Sequence, residues 1–505
     1  MRTGAIVPAG LLVLCGCAVG PNYARPSAPV PPAFKEPPPP GQRPEDWKAA
    51  EPSDHAARGK WWEIFGDPDL DALEQQVEEA NQDLARAEAA YRAARAVARG
   101  ARADLFPTVT GSVAVTRAHG SGRASAASPA SGGTGQSGTT TVYQVPFDLS
   151  WEADVFGRIR RNLEANVAGA QASAADLEAV RLSLHAELAA DWFQLHGLDA
   201  QKQLLDTEVA GDTRALQLTR NRHDQGVVSG VDVAQAETQL ETTRVQATDV
   251  QIARAQLEHA IAILVGQPPA GLSIPPAPIG HPPPAIPLEL PSELLERRPD
   301  VAAAERRVAA ANAQVGVATA AFFPRFLLSA SAGFQSGTLA GLFSLPNRFW
   351  SIGPSIVETL FTGGKRRAAV EQARASYDAA VAEYRQGVLG AFQEVEDGLA
   401  ATRILAEEAD QEAVAVAAAE RLLALARNRY QGGITTYLEV VTAQNAALAN
   451  ERAAVDLLTR RMTASVGLVK ALGGGWDAST LRARGAVLSR STAAATAPET
   501  KDKRP

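Results

Sequence analysis

Seven histidines, two cysteines and 56 acidic residues are the raw material for chemistry in this 505-residue chain, and their spacing organises little of it. No HExxH pair occurs, so no helix offers two histidine ligands with a built-in base. His185 and His196 stand in helical surroundings with no ligand partner close in sequence. Adjacent carboxylates such as Glu78-Glu79 and Glu407-Glu408 read most simply as solvated helix faces. Gly473-Gly474-Gly475 follows a helical run, whereas a phosphate- or dinucleotide-binding loop follows a strand. Both cysteines, Cys15 and Cys17, lie at the extreme N-terminus, so nothing beyond residue 17 can form a disulfide, a redox pair or a thiolate metal site. A net charge of −7 and a pI near 5.7 argue against nucleic acid, whose phosphates require a basic face. The expectation is a chain without catalytic residues, cofactor or metal.

The one spacing with definite chemistry is at the start. Arg2 supplies a short positive region, and Ala5 to Leu14 form an apolar run too short to span a bilayer. Leu14-Cys15-Gly16-Cys17 then resembles a bacterial lipoprotein signal, in which a small residue precedes the cysteine that is diacylated and becomes the mature N-terminus. Cys17 fits because Gly16 is small, and Cys15 fits poorly because Leu14 is bulky. The departure is Cys15 itself, where such signals usually carry Ala or Ser. The alternative is an ordinary cleaved secretory signal with two incidental cysteines. Ala18 adds that the inner-membrane retention favoured by Asp at this place is absent. The expectation is a signal over 1–16 and a covalent lipid on Cys17.

The elements that position these groups are long and repeated. No later stretch approaches the roughly 20 apolar residues of a membrane helix, so any crossing must be made by strands. Residues 17–60 are Pro-rich and read as an extended, lipid-anchored tether; a second Pro-rich segment, 268–291, separates a first repeat over 61–267 from a second over 292–475. The tail, 476–505, is Ala/Thr/Ser/Arg-rich and reads as disordered. Arg220-Asn221-Arg222-His223-Asp224-Gln225-Gly226-Val227 aligns with Arg427-Asn428-Arg429-Tyr430-Gln431-Gly432-Gly433-Ile434, and Val231 to Ala236 aligns with Leu438 to Ala443 without a gap. Phe106-Pro107 answers Phe323-Pro324, and Asp154 to Gly157 answers Thr359 to Thr362. Landmarks in one order indicate internal duplication.

Each half reads as helix, two strands, long helix, turn, helix. The first helices run from Asp69 to Arg102 and from Pro299 to Ala320, and each ends at a Phe-Pro pair. The strands are expected over Thr108–Thr116, Val142–Glu152, Arg325–Phe334 and Phe349–Leu360, each near the 9–11 residues of a tilted membrane strand. Gly, Ser, Ala and Thr fill 118–141 between the first pair; Ser336 to Asn347 joins the second. The helices expected over 157–225 and 364–431 would each reach roughly 100 Å. In the second, Tyr377, Val381, Tyr384, Val388, Ala391 and Val395 step by four and three, the seam of a coiled coil. A simple coiled-coil rod is the bland alternative.

Four strands cannot close a membrane barrel, for which about eight is the smallest number, and open edges in lipid leave backbone groups unpaired. Such a chain must share its barrel with other copies. The Cys17-Ala18-Val19-Gly20-Pro21-Asn22-Tyr23 start, the Phe-Pro junctions, Trp151 to Gly157, Arg297-Arg298-Pro299-Asp300 and the Arg429-Tyr430…Gly433-Ile434…Tyr437-Leu438 turn together resemble the outer membrane factor family of TolC-like exit ducts, lipoprotein branch. The resemblance implies a mainly α fold with membrane β: a homotrimer whose chains each give four strands to a 12-stranded barrel, continued by a long α-helical periplasmic barrel. It implies an outer-membrane efflux duct whose partners are an inner-membrane pump, a periplasmic adaptor and outer-membrane lipid, with no nucleic acid. It places the turns at Gly226–Val231 and Gly433–Leu438 at the periplasmic tip. There Arg429 and Tyr430 match residues that tether neighbouring helices, and Leu438 matches an apolar constriction ring able to gate by dewetting. Some relatives carry an aspartate ring where this chain has Thr442; Glu439, within one turn, is the candidate replacement. A polypeptide-secretion or metal-ion duct, and a periplasmic coiled-coil adaptor or structural lipoprotein, are the competing functions.

Overall fold

The computed structural model describes residues 18–36, 60–120, 138–284, 286 and 297–475. The signal, Cys17 and the tail lie outside the described residues.

One antiparallel sheet holds every strand among the described residues. The strands are β1 (Thr108–Gly111), β2 (Ala114–Gly120), β3 (Gly138–Ala153), β4 (Arg325–Ser336) and β5 (Arg348–Val357). Both β1 and β2 pair with β3, which pairs with β4, which pairs with β5. The single strand expected over Thr108–Thr116 is therefore two. Their register on β3 is continuous, running from Thr108↔Ser150 to Ala114↔Gln144, so nothing is inserted between them. Pro146 explains the break. It accepts a hydrogen bond from the Ser112 N–H at 3.1 Å and has no N–H to return. Elsewhere β2 and β3 run into the small-residue stretch as far as Gly120↔Gly138, because cross-strand pairing overrides weak strand propensity. At the other edge β5 stops at Val357 and not at Leu360, since Val357 already faces the first residue of β4.

Residues directly opposite in an antiparallel ladder share a face. The register puts Val109, Val115, Val145, Phe147, Leu149, Trp151, Phe326, Leu328, Phe334, Trp350, Ile352 and Ile356 on one side. Thr108, Thr110, Gln144, Asp148, Ser150, Glu152, Arg325, Ser329, Ser331, Gln335, Ser351 and Ser355 take the other. Val109, Phe147, Trp350, Ile352 and Ile356 are exposed in the single chain. An apolar face largely uncovered by the described residues, opposite a polar one, is the alternation expected of strands with lipid on one side and water on the other.

The helices are α1 (Pro68–Ala80), α2 (Gln82–Ala103), α3 (Arg158–Asp224), α4 (Gly230–Leu264), α5 (Pro299–Ala320), α6 (Lys365–Gln431) and α7 (Tyr437–Ala471). The helix expected from Asp69 to Arg102 is broken at Asn81, which is extended. Its side chain accepts from the Leu84 N–H at 2.9 Å and donates to the Leu264 carbonyl at 2.8 Å, capping α2 and tying it to the end of α4. By contrast α3 and α6 are continuous over 67 residues each. Both start after a glycine with positive φ, Gly157 or Gly364. No helix among the described residues is long and apolar enough to cross a membrane.

The seam on α6 is buried at Tyr384, Val388, Ala391 and Val395 as its spacing predicts. It joins a central belt in which Trp61, Trp62 and Phe65 precede Leu70 and Val77 of α1, and Leu188, Trp192 and Phe193 of α3 meet Ile261 of α4 and Met462 and Leu468 of α7. The Pro-rich segment expected to separate the two repeats is part of this packing. Ile274 and Ile286 of the Pro-rich linker are buried in the belt, and Arg254 donates to the Ile274 carbonyl at 2.7 Å.

The N-terminal tether is likewise a strap. The Val19 N–H donates to the Phe156 carbonyl at 3.0 Å, Arg161 donates to Val19, Gly20 and Asn22, and Asn312 donates to Pro21. Tyr23 then donates to buried Glu305, and the Lys35 and Glu36 amides donate to Glu396. Gly20 has φ +96°, and a Cβ there would lie 2.5 Å from the Gly316 Cα, so backbone conformation and close approach both demand glycine.

Candidate functional site

At the far end of the long helices, two turns close the two hairpins. In the second, α6 ends in a left-handed glycine, Gly433, and the Ile434 N–H donates back to the Arg429 carbonyl at 2.9 Å. The first turn repeats this with Gly226 and a Val227 N–H donating to Arg222 at 2.9 Å. The duplicated motif is thus a duplicated helix stop.

The side chains on that shared frame differ. Tyr430 is buried, its ring 5.4 Å from that of Tyr437, and the Arg222 guanidinium of the first hairpin lies 4.8 Å above the Tyr430 ring. Leu216 of α3, Ala236 and Leu240 of α4, and Val440 of α7 complete this small core between the hairpins. The Tyr430, Tyr437 and Thr435 hydroxyl oxygens are buried without a hydrogen-bond partner among the described residues. Burial, followed by the negative charge of nearby Asp212, pushes the Tyr437 phenol up to about 12.

Of the four residues expected at a gate, the structure brings one pair together and leaves Leu438 apart from buried Tyr430. Arg429 and Glu439 face each other across the turn at 3.6 Å, both half exposed. Leu438 is 55% exposed on the first turn of α7, beside buried Tyr437, and its carbonyl accepts from Thr442 at 2.9 Å. An exposed leucine at a helix hairpin's end, next to a buried aromatic pair, can form an apolar ring if copies surround an axis. Arg222 and Tyr437 are the neighbours that sequence reasoning passed over. Arg222 was legible as the duplicate of Arg429, and Tyr437 as part of the same turn motif.

The histidines are corrected by the fold. His185 does have carboxylate partners: its Nδ1 lies 2.5 Å from Glu74 and its Nε2 3.4 Å from Glu78, with the Trp62 ring stacked at 4.3 Å. Those partners sit on α1, a hundred residues away in sequence, so no local spacing could show them. Burial raises the Glu74 carboxyl to about 7. Glu78, taken for a solvated face, also pairs with Arg181 at 3.0 Å, and His196 lies 3.4 Å from Asp199. Among the described residues no group of three or more His, Cys, Asp or Glu is arranged to hold a metal.

The opposite end of the long helices carries the sheet. Asp154 accepts from the Ile159 and Arg160 amides at the start of α3, and Glu152 pairs with Arg158 and Arg325. Ala18 packs against Gly157 at this junction. The pattern of the outer membrane efflux protein family matches residues 73–267 and 290–474, one match per repeat. The chain belongs to that family.

Two relatives from Pseudomonas putida, the antibiotic efflux pump outer membrane protein ArpC and the toluene efflux pump outer membrane protein TtgC, are each 34% identical over 466 residues. Each alignment covers 92% of this chain and 94% of the relative. The solved outer-membrane channel OprN superposes with a TM-score of 0.81 at 35% identity, covering 91% of this chain and all of that one. This efflux protein accordingly resides in the outer membrane with a large periplasmic helical portion, as the outer-membrane channel component of an efflux pump. Its activity is conduction and not catalysis. The duplicated TolC-like fold follows from the same likeness.

Proposed function

We propose that three copies of this efflux protein join their sheets edge to edge into one 12-stranded barrel and bundle their long helices into a tube. The observation that carries this is the sheet itself: a largely exposed apolar face, a polar face, and edges at β1–β2 and β5 with no strand partner among the described residues. In lipid those edges must pair with another copy, because each bare backbone group costs several kcal/mol. The duct passively carries small compounds, as the antibiotic and toluene relatives suggest, from an inner-membrane pump through a periplasmic adaptor to the exterior. Purified protein should be trimeric in detergent and conduct in planar bilayers; a monomer without conductance would overturn the reading.

Leu438 forms the apolar constriction, with Tyr430, Arg429 and Glu439 holding the turn that presents it. Leu438→Ala should raise single-channel conductance, and unchanged conductance would leave Leu438 with a packing role. Cys17 carries the covalent lipid. What supports this is the strap, which holds Ala18, the next residue in the chain, against the strand–helix junction. Mass spectrometry should find the mature chain starting at Cys17 with diacylglycerol attached; a lipid-free mature N-terminus would dismiss the anchor.

A further inference from the structure

Less than two helical turns beyond Leu438, α7 carries a buried glutamine whose side chain bonds to the other repeat. Gln444 is 3% exposed, and its Nε2 donates both to Glu208 and to Asp212 Oδ1, two carboxylates one turn apart on α3. Asp212 is buried and also accepts from Thr243 of α4 at 2.8 Å. One residue along, Asn445 accepts from Gln239 of α4 at 2.9 Å. This polar layer crosses an otherwise apolar and alanine-rich wall. It joins both helices of the first hairpin to the helix that bears the constriction.

The arrangement is costly unless it fixes position. Asp212 is held out of water with a second, half-buried carboxylate one turn away, and what donates to both is one neutral amide. Arg427 of α6 offsets part of the charge, while Glu420 and Tyr430 of α6 and Tyr437 and Glu451 of α7 complete the titratable and charged surroundings. Burial raises both the Glu208 and the Asp212 carboxyl above their ordinary range.

We propose that Gln444 is a positioning residue for the constriction, a latch whose amide holds α7 against Glu208 and Asp212 and thereby sets where Leu438 stands. This rests on the reading of Leu438 as the constriction. A polar layer also sets register, as apolar side chains that can slide past one another do not. The sign of its pH dependence follows from linkage. The latched state binds protons more tightly than a state in which water reaches the carboxylates. Acid therefore favours the latched state, and rising pH through the raised carboxyl range favours parting.

The test uses full-length purified protein in planar bilayers at pH 5 and pH 8, with hydrogen exchange over residues 437–448 measured on the same samples. Gln444→Leu removes the amide donor shared by Glu208 and buried Asp212, leaving Asp212 only Thr243, and should raise open probability about tenfold at pH 8, with much of the rise reversed at pH 5. Gln444→Glu adds a third carboxylate and should open the channel more steeply with pH. Asp212→Asn, which keeps the shape and removes a charge, should stay shut and lose the pH dependence of the wild type. Trimer mass in detergent separates these effects from misfolding. Wild-type exchange over 437–448 in both Gln444 variants at both pH values overturns the latch, whatever the conductance. Absence of any channel in the wild type, with exchange altered as described, overturns the duct and with it the constriction, leaving Gln444 as a clamp between α7 and α3 only.

Discussion

The two hairpin turns descend from one motif, yet they are finished differently. In the first, Ser229 caps α4 with a full capping box: its hydroxyl accepts from the Asp232 N–H, and Asp232 accepts from the Ser229 N–H at 3.0 Å. Thr436, the matching residue in the second, makes no side-chain cap. Where the first turn has exposed His223 and Gly230, the second has the buried pair Tyr430 and Tyr437. The first turn is thus held by local hydrogen bonds, and the second by packing against the first hairpin. A turn that depends on its neighbour can move when the neighbour moves, which a self-capped turn need not do.

Tyr437→Ala should break this contrast most, costing about 3 kcal/mol through the cavity it leaves, while Gly230→Ala at the matching place should cost less than about 1 kcal/mol. Hydrogen exchange across the two turns would measure both; equal protection losses would show that the second turn does not depend on its aromatic pair. Ser229→Ala should lower protection at the first turn by about 1 kcal/mol, whereas Thr436→Ala should leave the second turn within about 0.5 kcal/mol of the wild type. Arg429→Ala should cost less, at most about 1 kcal/mol and falling with salt, because its partner Glu439 is half exposed. A loss that persists in high salt would point to a buried role.

Tyr437→Phe should be the smallest change at neutral pH, since the hydroxyl has no partner among the described residues to lose. Its signature is in alkali. A phenol whose folded pKa is raised keeps its proton longer than the unfolded chain does. Stability at this turn is therefore retained below the unfolded value near 10 and lost as pH rises towards about 12. The phenylalanine variant should flatten that loss in an alkaline exchange series, and a loss of unchanged steepness would assign it to another group.

Much of this molecule was legible because its signals are local or periodic. The continuity of α3 and α6 followed from long runs without proline, and the α6 seam from steps of four and three. The paired helix stops followed from Gly226 and Gly433 in repeated surroundings. Breaks set by a partner were not legible. Asn81 ends α1 because it bonds to Leu264, and β1 parts from β2 because Pro146 faces the gap. The candidate site divides in the same way: Arg429, Tyr430, Leu438 and Glu439 could be named from the turn, but not which of them is buried.

The repeat, the long helices and the four strand positions were determined by the sequence itself, since periodicity, proline placement and glycine conformations act over a few residues. Only the tertiary structure decided which polar groups leave water. Glu74 meets His185, and Gln444 meets Glu208 and Asp212, across more than 100 residues. Such meetings depend on how helices distant in the chain lie side by side, and no local pattern of residue types encodes that.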